Sequence, residues 1–433
     1  MTNFHIQAGG SLTGRIRVPG DKSISHRSIM LGALAEGVTE VHGFLEAEDC
    51  LATMKAFQAM GVRIEHLGPG HVRIHGVGLH GLTAPAGPLY LGNSGTSMRL
   101  LSGLLAGQGF DVELTGDASL TKRPMKRVTD PLAAMGAKID ASATGTPPLR
   151  IHGGQTLHGI DYAMPMASAQ VKSCLLLAGL YAQGETCVTE PAPTRDHTER
   201  MLAGFGYPVK KNANRVCVTT GGTLTATRIE VPADISSSAF FLVGAAIAPG
   251  SDLVLEHVGI NPTRIGIINI LTAMGADITL ENTREIGGEP VADIRVRASQ
   301  LHGINIDEAD VPLAIDEFPA VFVAAACAQG KTVLTGAEEL RVKESDRIQS
   351  MAEGLQALGI AATPTADGMI IEGGQLGAGQ VQSFDDHRIA MSLSMAGLRA
   401  AGDITVMECE NVNTSFPAFT DLAAQCGLKI SQS

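Results

Sequence analysis

The sequence predicts an α/β protein built from six similar units, and two recurring phrases carry this prediction. In the first phrase a helix ends in glycine and turns into an apolar strand, as in AMGVRI, AMGAKI, GFGYPV, AMGADI, ALGIAA and QCGLKI. In the second a run of small residues ends in glycine before an alternating strand, as in AEGVTEV, GQGFDVEL, AQGETCV, APGSDLV, AQGKTVL and AAGDITV. Both phrases recur at steps of 66 to 84 residues, so two independent landmarks agree on six units.

Each unit is predicted to contain a strand, a helix, a strand, a short hairpin region and a second helix. Glycine just past a helix end suits the left-handed residue that stops the helix. Apolar residues at helical spacing alternate with short runs rich in Val, Ile and Thr. Six units grouped three and three indicate two domains of similar construction. An open α/β solenoid is the alternative, but its repeats are usually about 20 to 50 residues long.

Composition excludes several classes of partner. The chain has 433 residues, of which 44% are hydrophobic and 18% are charged, which is typical of a well-buried globular protein. A formal net charge of -12 without blocks of Lys or Arg argues against nucleic acid and anionic membrane surfaces. The longest apolar windows, 174–182 and 239–248, are shorter than the ~20 residues that span a bilayer. The N-terminus resembles neither a signal nor a transit peptide, so we expect a cytoplasmic protein.

The cysteines are expected to be reduced and buried. They are odd in number, scattered, and without a C-x-x-C pair, which favours free thiols over a disulfide framework or a zinc site. We expect no catalytic cysteine. The seven are Cys50, Cys174, Cys187, Cys217, Cys327, Cys409 and Cys426.

The units differ most where their first helix begins. The six segments there read DKSISHRS, GNSGTSMR, MASAQVKS, DISSSAFF, AIDEFPAV and FDDHRIAM. Their Ser, Asn and Asp residues can cap the free amides of the first turn, at about 1 kcal/mol each. Capping leaves unexplained the cations in or near these turns, because the helix dipole disfavours positive charge there. We interpret the helix starts as anion sites, with capping alone as the alternative. The cations are Lys22, Arg27, Arg99, Lys172, His387 and Arg388.

Two further basic clusters, TKRPMKR (121–127) and LRVKESDRI (340–348), each follow the first helix and strand of a unit. In the second cluster Lys343 and Arg347 are four residues apart. On one helix face such a pair of like charges repels unless an anion separates them, and Glu344 and Asp346 could do so alone.

Acidic residues near these cations are candidates for proton transfer. They are Asp316, Glu317, Glu344, Asp385 and Asp386. The DDHR segment could instead be part of a metal site, but the sequence has no H-E-x-x-H motif and no His pair at ligand spacing. A serine nucleophile is also disfavoured, since no G-x-S-x-G elbow occurs.

Seven motifs in order along the whole chain resemble the 5-enolpyruvylshikimate-3-phosphate (EPSP) synthase family of enolpyruvyl transferases. They are PGDKSISHR, LGNSGTSMR, RPM, SAQVKS, DEFP, LRVKESDRI and FDDHRIAM. The resemblance implies an inside-out α/β barrel fold in two similar domains, each of three β-α-β-α-β-β repeats. The domains would be 20–234, and 1–19 with 235–433, with the active site in the cleft between them.

The resemblance also implies a reaction. The enolpyruvyl group of phosphoenolpyruvate would move to the 5-hydroxyl of shikimate 3-phosphate with release of phosphate, through a tetrahedral addition-elimination intermediate. We expect a monomer that needs neither metal nor cofactor. Both substrates are multiply anionic, which would give the basic groups of an acidic protein their ligands.

Roles for individual residues follow from the resemblance alone. Asp316 would take the 5-hydroxyl proton, and Glu344 would give a proton to the methylene carbon and later remove one. Lys22 would contact both substrates, and His387 would lie beside the site without a defined role. The expected ligands of shikimate 3-phosphate are Ser23, Arg27, Ser168, Ala169, Gln170, Arg195, Asp316 and Lys343. The expected ligands of phosphoenolpyruvate are Gly95, Arg123, Arg347 and Arg388.

Two residues of this chain differ from the pattern of the EPSP synthase family, and two other functions are alternatives to the one that the resemblance implies. Thr414 stands where many members carry a phosphoenolpyruvate-binding Lys, and Leu100 stands where many have Pro. The sister family, UDP-N-acetylglucosamine enolpyruvyl transferase, usually has a Cys in the loop of unit two, whereas TGDASLTKRP has none. A non-catalytic anion-binding repeat protein would be expected to lack the Asp316 and Glu344 carboxylates.

Overall fold

The computed structural model describes residues 2–433, which divide into two compact units. The N-terminal unit comprises Gly20–Val231 and Ile286–Gly288. The C-terminal unit comprises the residues up to Pro19 together with Pro232–Glu285 and Glu289–Ser433. Within the described residues no helix is both long enough and apolar enough to cross a membrane.

The N-terminal unit contains three repeats of one order of elements. Two strands precede it along the chain and belong to the C-terminal unit, β1 (Phe4–Ile6) and β2 (Thr13–Ile16). Its helices are α1 (Lys22–Leu34), α2 (Glu48–Ala59), α3 (Gly95–Ala106), α4 (Lys126–Ala134), α5 (Ala169–Gly179) and α6 (His197–Gly204). Its strands are β3 (Glu36–His42), β4 (Arg63–Gly68), β5 (His71–Val77), β6 (Leu89–Tyr90), β7 (Val112–Thr115), β8 (Lys138–Asp140), β9 (Leu149–His152), β10 (Asp161–Ala163), β11 (Glu185–Thr189), β12 (Val209–Asn212), β13 (Arg215–Thr219) and β14 (Arg228–Glu230).

The C-terminal unit repeats this order three more times, with one strand fewer in its first repeat. Its helices are α7 (Ile235–Ile247), α8 (Gly266–Ala273), α9 (Phe318–Cys327), α10 (Arg347–Ala357), α11 (His387–Ala396) and α12 (Phe419–Cys426). Its remaining strands are β15 (Asp252–Gly259), β16 (Asp277–Ile286), β17 (Glu289–Arg297), β18 (Lys331–Leu334), β19 (Ala361–Pro364), β20 (Met369–Glu372), β21 (Gly379–Gln382), β22 (Ile404–Met407) and β23 (Ile430–Gln432).

Each repeat contributes one small sheet. The sheets of the N-terminal unit have the orders β14-β3-β5-β4, β6-β7-β9-β8 and β10-β11-β13-β12. In each of them the first pair is parallel and the other pairs are antiparallel. Those of the C-terminal unit are β16-β17-β15-β2, β18-β20-β19 and β21-β22-β1-β23, so β1 and β2 complete two of its sheets.

The first helix of every repeat is the buried one. All thirteen residues of α7 are buried, and in α3 only Thr96 is not. The second helices, such as α4 and α12, bury one face only. A helix that is apolar all round must lie inside a core, and each unit has one contiguous core of this kind. The body of each first helix therefore lies in the core, whereas residues at some helix starts, such as Lys22 and Ser168, are only partly buried.

The expectation that all the cysteines are reduced is wrong for one pair. Cys187 on β11 and Cys217 on β13 form a disulfide. They are thirty residues apart, but the antiparallel register of the two strands places them directly opposite each other. In the described residues the other five cysteines form no disulfide, as expected, and burial raises the pKa of the Cys327 thiol to about 12.

Close packing of α3 on α5 generates a stability prediction. A Cβ added at Gly103 would lie 2.0 Å from the carbonyl oxygen of Cys174, which is backbone and cannot turn aside. Alanine normally stabilises a helix interior relative to glycine by about 0.5–1 kcal/mol. We expect Gly103→Ala to lower the free energy of unfolding by about 1–3 kcal/mol instead, measured by urea denaturation.

The matched control is Gly109→Ala, because no atom lies within 4 Å of a Cβ built there. It should change the unfolding free energy by less than about 0.5 kcal/mol. A Gly103→Ala protein as stable as wild type would contradict the close approach of the two helices.

Candidate active site

Five of the six first helices are capped by the side chains that the sequence offers. Asp21, Ser94, Ser168, Asp234 and Asp386 each accept a hydrogen bond from an amide of the first turn. The exception is α9, whose N-cap residue Glu317 makes no side-chain cap bond. The first turns therefore contain both capping side chains and cations, and capping does not explain why the cations are there.

The C-terminal unit gathers its charged candidates around Arg347. The guanidinium is 1% exposed and lies at the first position of α10. Its Nε and Nη2 donate to Asp386 at 2.8 and 3.3 Å, and Nη2 also donates to Glu344 at 2.6 Å. Nη1 lies 3.4 Å from Asp316 Oδ1. One buried cation thus joins both predicted proton-transfer carboxylates.

Charges within this cluster stabilise one another. Burial acts to lower the pKa of Arg347, but the charges of Asp386, Glu344 and Asp316 more than offset it, so its pKa is raised. Burial acts to raise the pKa of Asp386, and the opposite charge of Arg347 outweighs this, so its pKa is lowered. The Arg347–Asp386 pair is therefore ionised at neutral pH.

Asp316 has further cations beside it. Lys343 Nζ lies 3.4 Å from Oδ1, and Arg388 Nη2 lies 4.0 Å from Oδ2. The sequence suggested that Lys343 and Arg347 could share a helix face, and this is wrong because Lys343 precedes the first turn of α10. The backbone turn between them lets both cations approach Asp316. His387 occupies the first position of α11, next to Asp386.

A second buried polar network supports the segment that carries Asp316. Arg264, 3% exposed, donates to Asp234 Oδ1 at 3.0 Å and to Ser236 Oγ at 2.7 Å. Ser236 in turn donates to the carboxylate of Glu317, the residue after Asp316. Sequence reasoning missed Arg264, because NPTRIG matches no catalytic motif and lies more than fifty residues from Asp316.

In the N-terminal unit, the start of α3 forms a cradle around Gly95. A Cβ there would lie 2.9 Å from Arg123 Nη1 and 3.3 Å from Arg99 Nη1, so a side chain at this position would displace the ends of the two guanidinium groups. Arg123 also donates to Asn93 Oδ1 at 2.7 Å. Two cations at a helix start with free amides form a site suited to an anion.

The start of α5 is tied to this cradle by Gln170. Its Nε2 donates to Thr96 Oγ1 at 3.0 Å, and its Oε1 accepts from Arg99. Ser168 caps α5 and Ala169 is its first residue. The structure therefore brings Gln170 together with Gly95 and Arg123, through Arg99.

At the start of α1 the cations differ in their surroundings. Lys22 is partly exposed and pairs with Asp49 on α2. Arg27 is buried and donates to Thr198 Oγ1 at 2.7 Å, to Ser173 Oγ at 2.8 Å and to the Ser23 carbonyl at 3.0 Å. Arg27 therefore joins α1 to α5 and α6.

The anion-site interpretation is wrong for Lys172. Its side chain is fully buried, and Nζ pairs with Glu190 at 2.9 Å and with Glu199 at 2.7 Å. Glu190 also accepts a hydrogen bond from the Thr194 amide at 3.1 Å. The anions for Lys172 are thus internal carboxylates, which tie α5 to the loop that carries the half-buried Arg195.

A hydrogen-bonded chain links α1 to the cap of α3. His26 Nδ1 and Thr53 Oγ1 share a bond of 2.8 Å, Thr53 and Ser97 one of 2.6 Å, and Ser97 and Ser94 one of 2.8 Å. Burial, with the charges of Lys22 and Arg27, holds the pKa of His26 well below its ordinary value. His26 is therefore a neutral link in the interior.

Thr414 does not take the place of a cation. It is buried, and its hydroxyl donates to the Asn411 carbonyl at 2.7 Å. Leu100 is also fully buried within α3.

Comparison with known proteins decides the family. The profile of EPSP synthase, 3-phosphoshikimate 1-carboxyvinyltransferase, matches residues 6–422. This chain belongs to the EPSP synthase family. It is 71% identical over 430 residues to the 3-phosphoshikimate 1-carboxyvinyltransferase of Methylococcus capsulatus, covering 99% of this chain and 98% of that one. The enzyme of that name from Nitrosococcus oceani is 68% identical, with 99% and 96% covered.

Solved structures agree with the family. The EPSP synthase structure from Acinetobacter baumannii superposes with a TM-score of 0.90 at 61% identity, and all of both chains is covered. The α/β fold class of the EPSP synthase family, expected from the seven motifs, is thereby confirmed.

The buried Lys172 generates a prediction on stability. Lys172→Met would leave Glu190 and Glu199 without their cation in the interior, which typically costs about 3–5 kcal/mol. We expect a loss of this size in the free energy of unfolding from urea titrations. The control is Lys210→Met, which removes a solvent-exposed ion pair with Glu185 in the same unit and should leave stability close to wild type. Equal losses in the two variants would contradict the internal role of Lys172.

The lowered pKa of His26 predicts a pH dependence of stability. The unfolded chain binds a proton on His26 near pH 6.5, whereas the folded chain binds it only at lower pH. Stability is therefore lost as the pH falls below about 6.5, by at most about 1.4 kcal/mol per pH unit from this group. We expect His26→Gln to flatten the decline in unfolding free energy between pH 6.5 and 5.5. An unchanged slope would contradict the neutral state of His26.

Proposed function

We propose that this protein transfers the enolpyruvyl group of phosphoenolpyruvate to the 5-hydroxyl of shikimate 3-phosphate, giving 5-enolpyruvylshikimate 3-phosphate and phosphate. The observation that carries the proposal is the Arg347 cluster, in which one buried guanidinium contacts both Asp316 and Glu344. A reaction that both adds and removes protons needs general acid and base groups in fixed positions, and carboxylates can serve as both. Family membership supplies the identity of the substrates.

In the addition step, Asp316 takes the proton of the 5-hydroxyl as its oxygen bonds to C2 of phosphoenolpyruvate. Glu344 gives a proton to the methylene carbon, and the tetrahedral intermediate forms. In the elimination step, Glu344 takes a proton back from the new methyl group, the double bond re-forms as the C2–O bond to phosphate breaks, and phosphate leaves with the proton that Asp316 returns. Each carboxylate has a cation within 4 Å that can stabilise its charge between steps.

Arginines of the same cluster would hold phosphoenolpyruvate. Arg388 lies at the start of α11 and Arg347 at the start of α10, so both combine a guanidinium with helix amides. The planar fork of a guanidinium suits carboxylate and phosphate groups. Lys343, beside Asp316, would bind the shikimate moiety close to the base.

Residues of the N-terminal unit would supply the remaining anion contacts. The Gly95 cradle, with Arg123 beside it, would hold a group of phosphoenolpyruvate, because a helix start between two guanidiniums stabilises concentrated negative charge. Lys22 would contact both substrates. The residues proposed to hold shikimate 3-phosphate are Ser23, Arg27, Ser168, Ala169, Gln170 and Arg195. Arg27 and Gln170 have internal partners as well, so they would position the site in addition to binding.

We also propose that the enzyme is a cytoplasmic monomer and needs neither metal nor cofactor. In the proposed chemistry every proton moves through a carboxylate of the chain. Phosphate release should accordingly continue in excess chelator.

Asp316→Asn tests the base. We expect phosphate release from phosphoenolpyruvate plus shikimate 3-phosphate to fall about 10²–10⁴-fold, because the amide cannot accept the hydroxyl proton. Binding of shikimate 3-phosphate, followed by calorimetry, should persist. The matched control is Asp421→Asn on the exposed face of α12, which should release phosphate at the wild-type rate.

Two outcomes would contradict the proposal at different levels. Wild-type turnover by Asp316→Asn would remove the assignment of the base while leaving the reaction in place. Absence of phosphate release by the unaltered protein with both substrates would overturn the reaction itself.

A further inference from the structure

A row of imidazole and carboxylate groups lies on the outward face of the β14-β3-β5-β4 sheet. His42 on β3 is directly opposite His71 on β5, and Glu40 lies two residues before His42 on the same face. The alternate residues of these strands, such as Val41 and Val72, are fully buried. The row is therefore the solvent side of the first sheet of the N-terminal unit.

Three donor atoms converge in this row. One nitrogen of each imidazole and one oxygen of Glu40 all lie within 4.8 Å of one another. The rings of His42 and His71 are stacked with centroids 4.1 Å apart, and His71 Nε2 lies 2.8 Å from Glu40 Oε2. The side chains of His71 and Glu40 are 31% and 29% exposed, so an ion could reach them from solvent.

We infer that His42, His71 and Glu40 form a binding site for one divalent transition-metal ion of the Zn²⁺, Ni²⁺ and Cu²⁺ class. Two neutral imidazoles and a carboxylate are a ligand set of the kind found in open zinc sites, with water in the remaining position. Imidazole ligands favour these ions over Mg²⁺ and Ca²⁺, which prefer oxygen ligands alone.

The distances are compatible with such a site. With metal–ligand bonds of about 2.0–2.2 Å, ligand atoms of a tetrahedral site lie roughly 3.3–3.6 Å apart. Rotation of the three partly exposed side chains would shorten the distances between their ligand atoms, now within 4.8 Å, to this range without moving the strands. The backbone register fixes which residues face each other, so both imidazoles are already on one face.

One neighbour opposes metal binding. Arg73 on β5 donates to Glu40 Oε1 at 2.5 Å, so its guanidinium competes with an ion for the carboxylate. Glu230 on β14 lies opposite His42 in the strand register, but its carboxylate already accepts from Arg228 Nη2 at 2.7 Å. The site would therefore gain affinity if the competing guanidinium were removed.

The same sheet contains a natural control. His75, four residues after His71 on β5, also has a carboxylate partner, with Nε2 2.9 Å from Glu65 Oε1. It is not among the three grouped donors. Generic binding to exposed histidines would involve His75, whereas a defined site would not.

The test is calorimetric titration of the full-length protein with Ni²⁺, after chelator treatment and buffer exchange. We expect one saturable site per chain. His42→Ala and His71→Ala should each weaken it at least tenfold, and Glu40→Gln should weaken it less. His75→Ala should bind as wild type does, and Arg73→Met should bind more tightly.

A thermal melt provides a second readout that does not depend on activity. Ni²⁺ should raise the unfolding midpoint of wild type and of His75→Ala, but much less that of His42→Ala, because the loss of one imidazole leaves the ion a single nitrogen ligand. Absence of a saturable site, wild-type affinity in His71→Ala, or equal weakening in His75→Ala would each overturn the inference.

Discussion

Burial of the Arg347 guanidinium is the constraint on which the C-terminal unit depends. A cation removed from water must be surrounded by negative charge, and here three carboxylates supply it. They come from three places in the chain, which are the turn before α9, the turn before α10 and the cap of α11. Neutralisation of one buried cation thus brings residues of two repeats together, and it fixes the positions of the two carboxylates assigned to proton transfer.

The N-terminal unit uses buried cations in a related way. Lys172 and Arg27 lie within its interior, where carboxylates and hydroxyls satisfy them. Arg99 and Arg123, in contrast, lie on either side of Gly95 at the start of α3, with Nη1 of each within 3.3 Å of a Cβ built there. Cations of the first kind hold helices together, and those of the second kind flank the helix start that is proposed to bind an anion. Lys and Arg residues near helix starts therefore have two different roles.

Much of the fold could be predicted from the sequence because glycines end the helices at regular steps. Gly61, Gly136 and Gly275, among others, have positive φ, as expected for residues that stop a helix. The helix starts could also be predicted, since Asp21, Ser94 and Asp386 act as caps. Motif resemblance identified the family, and the comparisons confirmed it.

The remaining contacts could not be predicted from the sequence, because they depend on the register of paired strands and on the direction in which side chains point. Cys187 and Cys217 meet only because β11 and β13 pair in one particular register. Lys172 looked like a ligand-facing cation, but the inward direction of its side chain depends on how α5 packs on α6. Arg264 supports the Asp316 segment through Ser236 and Glu317, a contact between residues distant in sequence.

The most direct test of the central claim is the fate of solvent hydrogen during turnover. If Glu344 protonates the methylene carbon and later removes a proton, a reaction run in D₂O must place deuterium in the enolpyruvyl group of the product, as seen by NMR. We expect this incorporation in the wild-type protein. Complete turnover to a product whose vinyl group contains no deuterium would contradict it.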